Sequence, residues 1–373
     1  MVVHKQLGGT IVNKKIIIIV IALIIIASGV YVAWIFQRSL FGGGEDCLSK
    51  NNALVVIYRY AQPAKETFQF ISYVLSEVIR SNSSNSINIQ FTLCYMDFHS
   101  IPADIRQELE TRFDFYPIFV LNSADLDIAK APVLDTLFDR LGNSIYVPKY
   151  VPLKELYYIT LNYLLQNYNQ AYLTEVNGVY ALIATLQRPA TNTSVNPIVG
   201  SPDARFYIYI YEDVYCPVCA LLYQNTLPKL WNMVNNGTAA LVLKNFIVHP
   251  QAYSAQQYLT AVFLKTGNSS LVVEVMKSVY DKLLQDLRQN KTPSIDIRAI
   301  VTEKLGHEVD VQGYATPASN VIESDGWEAF NYLILGTPGI VVWDNENGVG
   351  LVIVGFISAE DIVKVMDFLA KLD

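Results

Sequence analysis

The 373-residue sequence predicts an α/β protein with two successive domains of similar pattern and one N-terminal transmembrane helix. Three observations predict this architecture. A long apolar run lies near the N-terminus, the order of strand, proline-containing turn and helix occurs twice, and each half later has a proline that leads into a further strand. The chain is long enough for two domains with separate hydrophobic cores.

The apolar run, residues 16–36, contains no charged side chain. As a helix with a rise of 1.5 Å per residue it would be about 31 Å long, which matches the hydrocarbon core of a bilayer. It differs from the shorter apolar region and cleavage site of a signal peptide, so we expect an uncleaved anchor. More basic residues precede the run than follow it. The positive-inside rule therefore predicts that residues 1–15 are cytoplasmic and that the bulk of the chain is extracytoplasmic.

The composition argues against nucleic acid as a partner, because the net charge is −7 and no basic run occurs. An extracytoplasmic compartment would be oxidising, so thiols there would not stay reduced unless something maintained them. Such a location also permits glycosylation. Five asparagines occupy Asn-x-Ser/Thr acceptor sequences: Asn82, Asn192, Asn236, Asn268 and Asn290.

A glycine-containing linker at residues 37–50 separates the anchor from a first domain at 51–170. This domain opens with "ALVVIYRYAQPAKETFQFISYVLSEVI", which predicts an apolar strand, a turn with a proline and a helix. The stretch "FYPIFVLN" then predicts a strand that follows a proline. The stretch "YVPLKELYYITLNYLL" predicts the closing helix of the domain.

A connecting segment at 171–200 precedes the second domain, residues 201–373. This domain opens with the same order of elements, in "RFYIYIYEDVYCPVCALLYQNTLPKLW". It closes with a strand hairpin and a helix, since Asn347-Gly348 is a strong turn signal between two apolar runs. A largely helical insertion at about 253–335 distinguishes the second domain from the first.

Two of the four cysteines, Cys216 and Cys219, follow the first strand of the second domain. A thiolate is the nucleophile in disulfide exchange, and a helix N-terminus favours an anion. The order of residues places Cys216 at a cap position and Pro217 at the first helical residue, where proline is tolerated. Cys219 lies one turn later on the same face. The pattern predicts that Cys216 attacks and that Cys219 resolves the mixed disulfide.

A zinc site and a structural disulfide are the alternatives for this pair. A zinc site would need two further ligands, but the other cysteines and the four histidines lack ligand spacing. A disulfide between cysteines this close in sequence would brace very little chain. The redox interpretation is therefore favoured, with no metal and no cofactor.

The stretch "NPIVGSPDARFYIYIYEDVYCPVCALLYQNTLPKL" resembles the DsbA-like branch of the thioredoxin superfamily. The resemblance continues through "KNFIVHPQAYSAQQYLTAVFLKTG" and "LGTPGIVVWD", so that it covers about residues 196–373. It implies a thioredoxin-like domain with a helical insertion and an activity as a thiol–disulfide oxidoreductase.

The resemblance also implies roles for individual residues. Pro338 matches a cis-proline that faces the cysteine pair, and Thr337 precedes it. Together with Pro217 and Val218 they would form the groove that binds a client strand. Asp213 matches a common acidic position and is a candidate proton relay, although a solvated loop acid is an equal alternative. Relatives place a buried acid six residues before the first cysteine, where this chain has Ile210.

The first domain has no sulfur at the equivalent position, which is Ala61-Gln62-Pro63-Ala64-Lys65. It therefore cannot perform exchange, although Tyr116-Pro117 would be a second cis-proline before a strand. Two interpretations stay open. The domain is either a silent thioredoxin-like module that binds clients, as inactive modules of protein disulfide isomerases do, or a spacer.

Cys47 and Cys94 are predicted to form a structural disulfide, because an unpaired thiol outside the cell is a liability. The bond would close a loop of about 48 residues and contribute on the order of 4 kcal/mol in the chain-entropy model. The alternative is that either cysteine exchanges with Cys216.

These observations predict a membrane-anchored extracytoplasmic thiol–disulfide oxidoreductase that forms or rearranges disulfides in secreted proteins. Its partners would be cysteine-containing proteins, the membrane through residues 16–36, and a membrane quinone-linked redox protein that recharges the pair. Oxidation is the favoured direction because the compartment is oxidising. A reductase, or a client-binding chaperone whose disulfide is structural or regulatory, is the alternative.

Overall fold

The computed structural model describes residues 47–82, 89–126, 132–169 and 171–372. They form two compact units, and the boundary lies between Glu175 and Val176. The predicted tail, the predicted transmembrane segment at 16–36 and most of the predicted linker lie outside the described residues. Within the described ranges no helix has both the length and the apolar composition needed to cross a membrane.

The first unit contains a five-stranded sheet with the order β3-β1-β5-β7-β6. The strands of this unit, inside and outside that sheet, are β1 (Ala53–Tyr58), β2 (Gln62–Pro63), β3 (Thr92–Asp97), β4 (Phe115–Tyr116), β5 (Ile118–Asn122), β6 (Phe138–Leu141) and β7 (Ile145–Pro148). Its helices are α1 (Lys65–Asn82), α2 (Ala103–Arg112), α3 (Pro132–Leu137) and α4 (Tyr150–Tyr168). Central strand β1 is parallel to β3 and antiparallel to β5, with Ile57 opposite Ile118.

The sequence of β1 explains its central place. Five consecutive apolar residues, Ala53–Ile57, are fully buried, as expected for a strand that is covered on both faces. Helix α4 contributes the buried ring of Tyr157, which packs edge-on against Phe68 of α1 at 6.1 Å between centroids. The core of this unit is therefore aromatic and lies between the sheet and its helices.

The second unit contains a sheet with the order β11-β13-β12-β14-β15-β10. The strands of this unit begin with β8 (Thr174–Val176), which spans the boundary between the units. They continue with β9 (Val179–Ala181), β10 (Ala184–Thr185), β11 (Ile198–Gly200), β12 (Phe206–Glu212), β13 (Ala239–Asn245), β14 (Gly339–Asp344) and β15 (Val349–Val354). Central strand β12 is parallel to β13 and antiparallel to β14, with Tyr211 opposite Gly339. The central strand of each unit thus has one parallel and one antiparallel neighbouring strand.

Seven helices complete the second unit. They are α5 (Pro217–Asn225), α6 (Leu227–Asn235), α7 (Tyr253–Thr266), α8 (Ser269–Arg288), α9 (Ile297–Leu305), α10 (Ala315–Asn331) and α11 (Ala359–Leu369). Helices α7 to α10 occupy the range in which the sequence predicts an insertion. The predicted hairpin is confirmed, since β14 and β15 are antiparallel and Gly348 has a φ of +63°, a conformation that glycine adopts readily. The predicted connecting segment contains four short strands, β8 to β11.

Candidate active site

Cys216 caps the N-terminus of α5, directly after the turn that follows β12. Its sulfur accepts the N–H of Cys219 at 3.3 Å, and Pro217 is the first residue of the helix. The turn forms because the Cys216 N–H donates to the carbonyl oxygen of Asp213 at 2.9 Å. Both cysteines are free and buried, and Cys216 is only 3% exposed. Strand β12 and helix α5 thus hold the two sulfur atoms at a helix start.

The two thiols have opposite acidities. A hydrogen bond with the Cys219 side chain lowers the pKa of Cys216 to about 6, against the effect of burial, and the Thr337 side chain and the backbone of α5 add to this lowering. Burial raises the pKa of Cys219 well above its ordinary value, and the nearby Cys216 and Glu212 add to the rise. At neutral pH Cys216 is therefore mostly a thiolate, whereas Cys219 keeps its proton.

Thr337 and Pro338 lie beside the cysteines, as the resemblance implied for groove residues. The Cys216 thiol donates to the Thr337 carbonyl oxygen at 3.2 Å, and the Thr337–Pro338 peptide bond is cis. The Thr337 hydroxyl is buried and has no hydrogen-bond partner among the residues that the structure describes. Pro217 is exposed and Val218 is half-buried at the start of α5. The structure therefore brings all four predicted groove residues to the Cys216 region.

Asp213, the candidate proton relay, is fully buried and its carboxylate accepts three backbone N–H groups. They come from Tyr215 at 2.7 Å, from Val248 at 2.8 Å and from His249 at 2.7 Å. The His249 ring nitrogen Nδ1 lies 3.2 Å from the same carboxylate but outside hydrogen-bond geometry. Asp213 therefore joins the cysteine turn to the segment that precedes α7, a placement that suits a positioning residue.

Sequence reasoning missed Glu212, the last residue of β12. Its buried carboxylate accepts the hydroxyls of Tyr223 at 3.1 Å and Tyr280 at 3.2 Å. Burial raises the pKa of Glu212 to about 8, and the two tyrosine hydroxyls partly oppose the rise. Side chains alternate along a strand, so Glu212 lies on the same face as Ile210, where relatives have the acid. Period-two alternation was the signal that could have identified it.

A small cavity of about 30 Å³ adjoins Glu212, and most of its wall is apolar. Asn245, Gln256 and Thr260 contribute to its lining. The Gln256 amide donates to the Glu212 carbonyl oxygen at 2.8 Å and accepts the Val214 N–H at 3.3 Å. A cavity of this size has room for a water molecule, and Asn245, Gln256 and Thr260 offer it polar partners.

Cys47 and Cys94 form a disulfide in the first unit, with 5.9 Å between their Cα atoms. It joins a short 3₁₀ helix, Cys47–Ser49, to strand β3. At the position equivalent to the cysteine pair, Gln62 and Pro63 form the short strand β2, and α1 begins only at Lys65. The Tyr116–Pro117 peptide bond that precedes β5 is cis.

A family model places one similarity to known proteins in the second unit. Residues 192–344 match the model of a thioredoxin family, so this unit contains a thioredoxin-like domain. A search of curated proteins found no match. Three solved structures are similar to the chain: the catalytic domain of Proteus mirabilis ScsC (16% identity, 48% of this chain and 91% of that chain, TM-score 0.38), Wolbachia pipientis alpha-DsbA1 (17%, 50% and 98%, 0.40), and oxidised BdbD from Bacillus subtilis (16%, 48% and 94%, 0.37).

Proposed function

We propose that the protein is a thiol–disulfide oxidoreductase in which Cys216 exchanges with client proteins and Cys219 resolves the mixed disulfide. One observation carries the proposal. The Cys216 sulfur lies at the N-terminus of α5, where hydrogen bonds lower its pKa to about 6, while burial raises the pKa of Cys219. A stabilised thiolate is a good leaving group, so this asymmetry favours the release of Cys216 from a mixed disulfide with a client.

The favoured direction is oxidation of the client. A client thiolate attacks the Cys216 sulfur of the Cys216–Cys219 disulfide, which breaks that bond and expels the Cys219 sulfur as a thiolate. A second client thiolate then attacks the client sulfur of the mixed disulfide and expels the Cys216 thiolate. The client loses two electrons and the cysteine pair gains them. A membrane quinone-linked redox protein removes these electrons and restores the disulfide.

Glu212 supplies or accepts the proton of Cys219. The Cys219 thiolate is costly in its buried position, so its release as a leaving group requires a proton donor. Glu212, with a pKa raised to about 8, is protonated at neutral pH and lies close enough to Cys219 to affect its pKa. The adjacent cavity, with polar groups from Asn245, Gln256 and Thr260, offers a place for water that returns the proton. Asp213 stabilises the turn before Cys216, since its carboxylate accepts hydrogen bonds from three backbone N–H groups.

The proposal includes a location and a domain arrangement. Residues 16–36 anchor the chain in a membrane with residues 1–15 in the cytoplasm, and the folded units face an oxidising compartment that permits glycosylation of asparagine acceptors. Clients are secreted or membrane proteins with cysteines. The first unit is a degenerate thioredoxin-like domain, an assignment supported by the matching neighbours of strands β1 and β12 and by the missing cysteine pair.

Trapping of mixed disulfides tests the proposal. Replacement Cys219→Ser removes the resolving sulfur, so full-length protein should accumulate covalent adducts with reduced, unfolded ribonuclease in the presence of an oxidant. The matched Cys216→Ser variant retains Cys219 and should accumulate none. If the Cys219→Ser variant binds the client without a reducible adduct, the protein is a client-binding chaperone and the enzymatic proposal is wrong.

The reduction potential of the Cys216–Cys219 pair tests the direction. A low pKa of the attacking thiol stabilises the reduced form, so we expect a potential well above that of thioredoxin, at roughly −200 mV or higher. Equilibration with glutathione buffers of known potential measures it. A value near −270 mV, typical of thioredoxin, would identify a reductase.

A further inference from the structure

Six buried side-chain nitrogen or oxygen atoms in the described part of the chain have no hydrogen-bond partner: Arg59 Nε, Tyr95 OH, Tyr116 OH, Asn122 Oδ1, His249 Nδ1 and Thr337 Oγ1. A buried polar atom without a hydrogen-bond partner lowers the stability of the folded protein unless water or a ligand binds to it. Such atoms therefore indicate candidate ligand-binding sites. Two of the six, His249 Nδ1 and Thr337 Oγ1, lie at the proposed redox site. Arg59 Nε and Tyr116 OH lie together in the first unit.

Arg59 and Tyr116 occupy the positions in the first unit that Asp213 and Thr337 occupy in the second. Arg59 directly follows strand β1, as Asp213 follows β12. Tyr116 is two residues before strand β5, as Thr337 is two residues before β14. The paired strands have the same antiparallel relation in both units. The first unit therefore presents a cation and a phenol at the positions where the second unit presents Asp213 and Thr337, which lie beside its cysteine pair.

The Arg59 guanidinium is flanked by aromatic rings. Its central carbon lies 5.4 Å from the centroid of Tyr60 and 4.8 Å from that of Phe98. The rings fix the guanidinium plane while 23% of the side chain stays exposed. Among the described residues, its one carboxylate contact is Glu110 at 3.5 Å, the outer limit of a hydrogen bond, and Glu110 itself is 47% exposed. The guanidinium is held in place but only weakly neutralised.

Tyr116 provides a second donor beside the guanidinium. The residue is 1% exposed, and its ring packs edge-on against Phe98 at 5.2 Å between centroids. Burial raises the pKa of the Tyr116 hydroxyl, whereas Arg59 lowers it through its charge and a contact at hydrogen-bonding range. Within the described part of the chain, neither Arg59 Nε nor the Tyr116 hydroxyl has a partner in oriented hydrogen-bond geometry. The guanidinium can approach the phenol oxygen, but the phenol O–H proton is left without an acceptor.

We propose that Arg59 and Tyr116 form a carboxylate-binding site in the first unit. A carboxylate has two acceptor oxygens, which match one guanidinium N–H and one phenol O–H, and guanidinium–carboxylate hydrogen bonds are among the stronger ones in proteins. The ligand is the carboxylate of a polypeptide, either a C-terminus or an acidic side chain. The ligand carboxylate replaces the Glu110 side chain as the partner of the Arg59 guanidinium.

Calorimetric titration of the full-length protein tests the site with N-acetylglycylglycine and with its C-terminal amide. The free acid should bind at least tenfold more tightly than the amide, by about the factor expected for a hydrogen bond to a charged group. Replacement Tyr116→Phe keeps the ring and removes the hydroxyl, and should weaken binding of the acid by roughly tenfold. Replacement Arg59→Gln should abolish the preference for the acid.

The matched control is Arg140→Gln, because Arg140 also lies over a tyrosine ring of the first unit, at 6.0 Å from the centroid of Tyr146. This replacement should leave binding of the acid unchanged. Equal affinity for acid and amide, or an unchanged preference in Tyr116→Phe, overturns the proposal. N-acetylaspartate amide distinguishes an acidic side chain from a C-terminus as the source of the carboxylate. A Cys216→Ser, Cys219→Ser variant should bind the acid normally, so the result is independent of the proposed redox function.

Discussion

The Thr337 hydroxyl lies buried beside the Cys216 sulfur and has no hydrogen-bond partner while that sulfur is a thiol. The Thr337 side chain nevertheless contributes to the low pKa of Cys216. Both observations follow if the hydroxyl donates to the thiolate once the proton has left. The residue before Pro338 would then adjust the acidity of Cys216 without touching the backbone contacts of the groove.

Replacement Thr337→Val should therefore raise the pKa of Cys216 by about one unit, since it removes one hydrogen bond to a charged group. The pH dependence of iodoacetamide alkylation measures this pKa, with an expected midpoint near 6 in the unaltered protein. The reduction potential of the pair should fall with the loss of thiolate stabilisation. Thr316→Val, at an exposed position of α10, is the control. An unchanged midpoint in Thr337→Val would contradict the role of the hydroxyl.

Glu212 makes stability depend on pH in a defined direction. Burial raises its folded-state pKa to about 8, above the ordinary glutamate value of about 4.3. The folded protein therefore holds this proton more tightly than the unfolded chain. The resulting stabilisation is complete below the unfolded pKa and is lost as the pH rises through about 8.

Replacement Glu212→Gln should remove that dependence and should slow exchange at Cys219, by about a hundredfold if proton transfer limits the step. Urea unfolding at several pH values between 4.5 and 8.5 measures the stability, and quenched-flow resolution of a mixed disulfide measures the rate. Glu323→Gln on the exposed face of α10 is the control. A pH-stability profile of Glu212→Gln that parallels that of the unaltered protein would contradict the assignment.

At the scale of elements, local sequence order predicted the strand, turn and helix that carry Cys216, because proline, a cap residue and an apolar strand are local signals. The β14–β15 hairpin was predictable for the same reason. The surroundings of Glu212 were not, since its partner Tyr280 is 68 residues away in the helical insertion. The contact of Asp213 with Val248 and His249 likewise joins separate elements. No periodicity within one segment encodes such pairings.

The junction of α5 and α6 offers a test at this scale. Thr226, between the two helices, is fully buried, and its hydroxyl donates to the Ile357 carbonyl oxygen at 2.7 Å. Replacement Thr226→Val keeps the volume but leaves that carbonyl unsatisfied, at a cost of about 1–3 kcal/mol. Urea unfolding should show this loss, while Thr316→Val should change stability by less than about 0.5 kcal/mol. Equal stability of the two variants would contradict the importance of the junction.

At the scale of the whole molecule, the two units use sulfur in different ways. The first unit holds Cys47 and Cys94 in a disulfide that connects a 3₁₀ helix to strand β3. The second unit holds a free pair at a helix start, where hydrogen bonds stabilise one thiolate. Four cysteines thus divide into one bond that restrains a chain and one pair with the acidity needed for exchange. The cysteine count predicted this division, but only the folded chain places each pair in its unit.

Replacement of both Cys47 and Cys94 by alanine should therefore destabilise the first unit and spare the second. The lost bond closes a loop with a sequence separation of 47 residues, which corresponds to about 4 kcal/mol in the chain-entropy model. Hydrogen exchange resolved by mass spectrometry should show faster exchange in residues 47–175 and unchanged protection in 176–372. The alkylation midpoint of Cys216 should also be unchanged. If the double variant instead altered that midpoint, Cys47 or Cys94 would be an exchange partner of Cys216, and the separation of restraint from redox chemistry would be wrong.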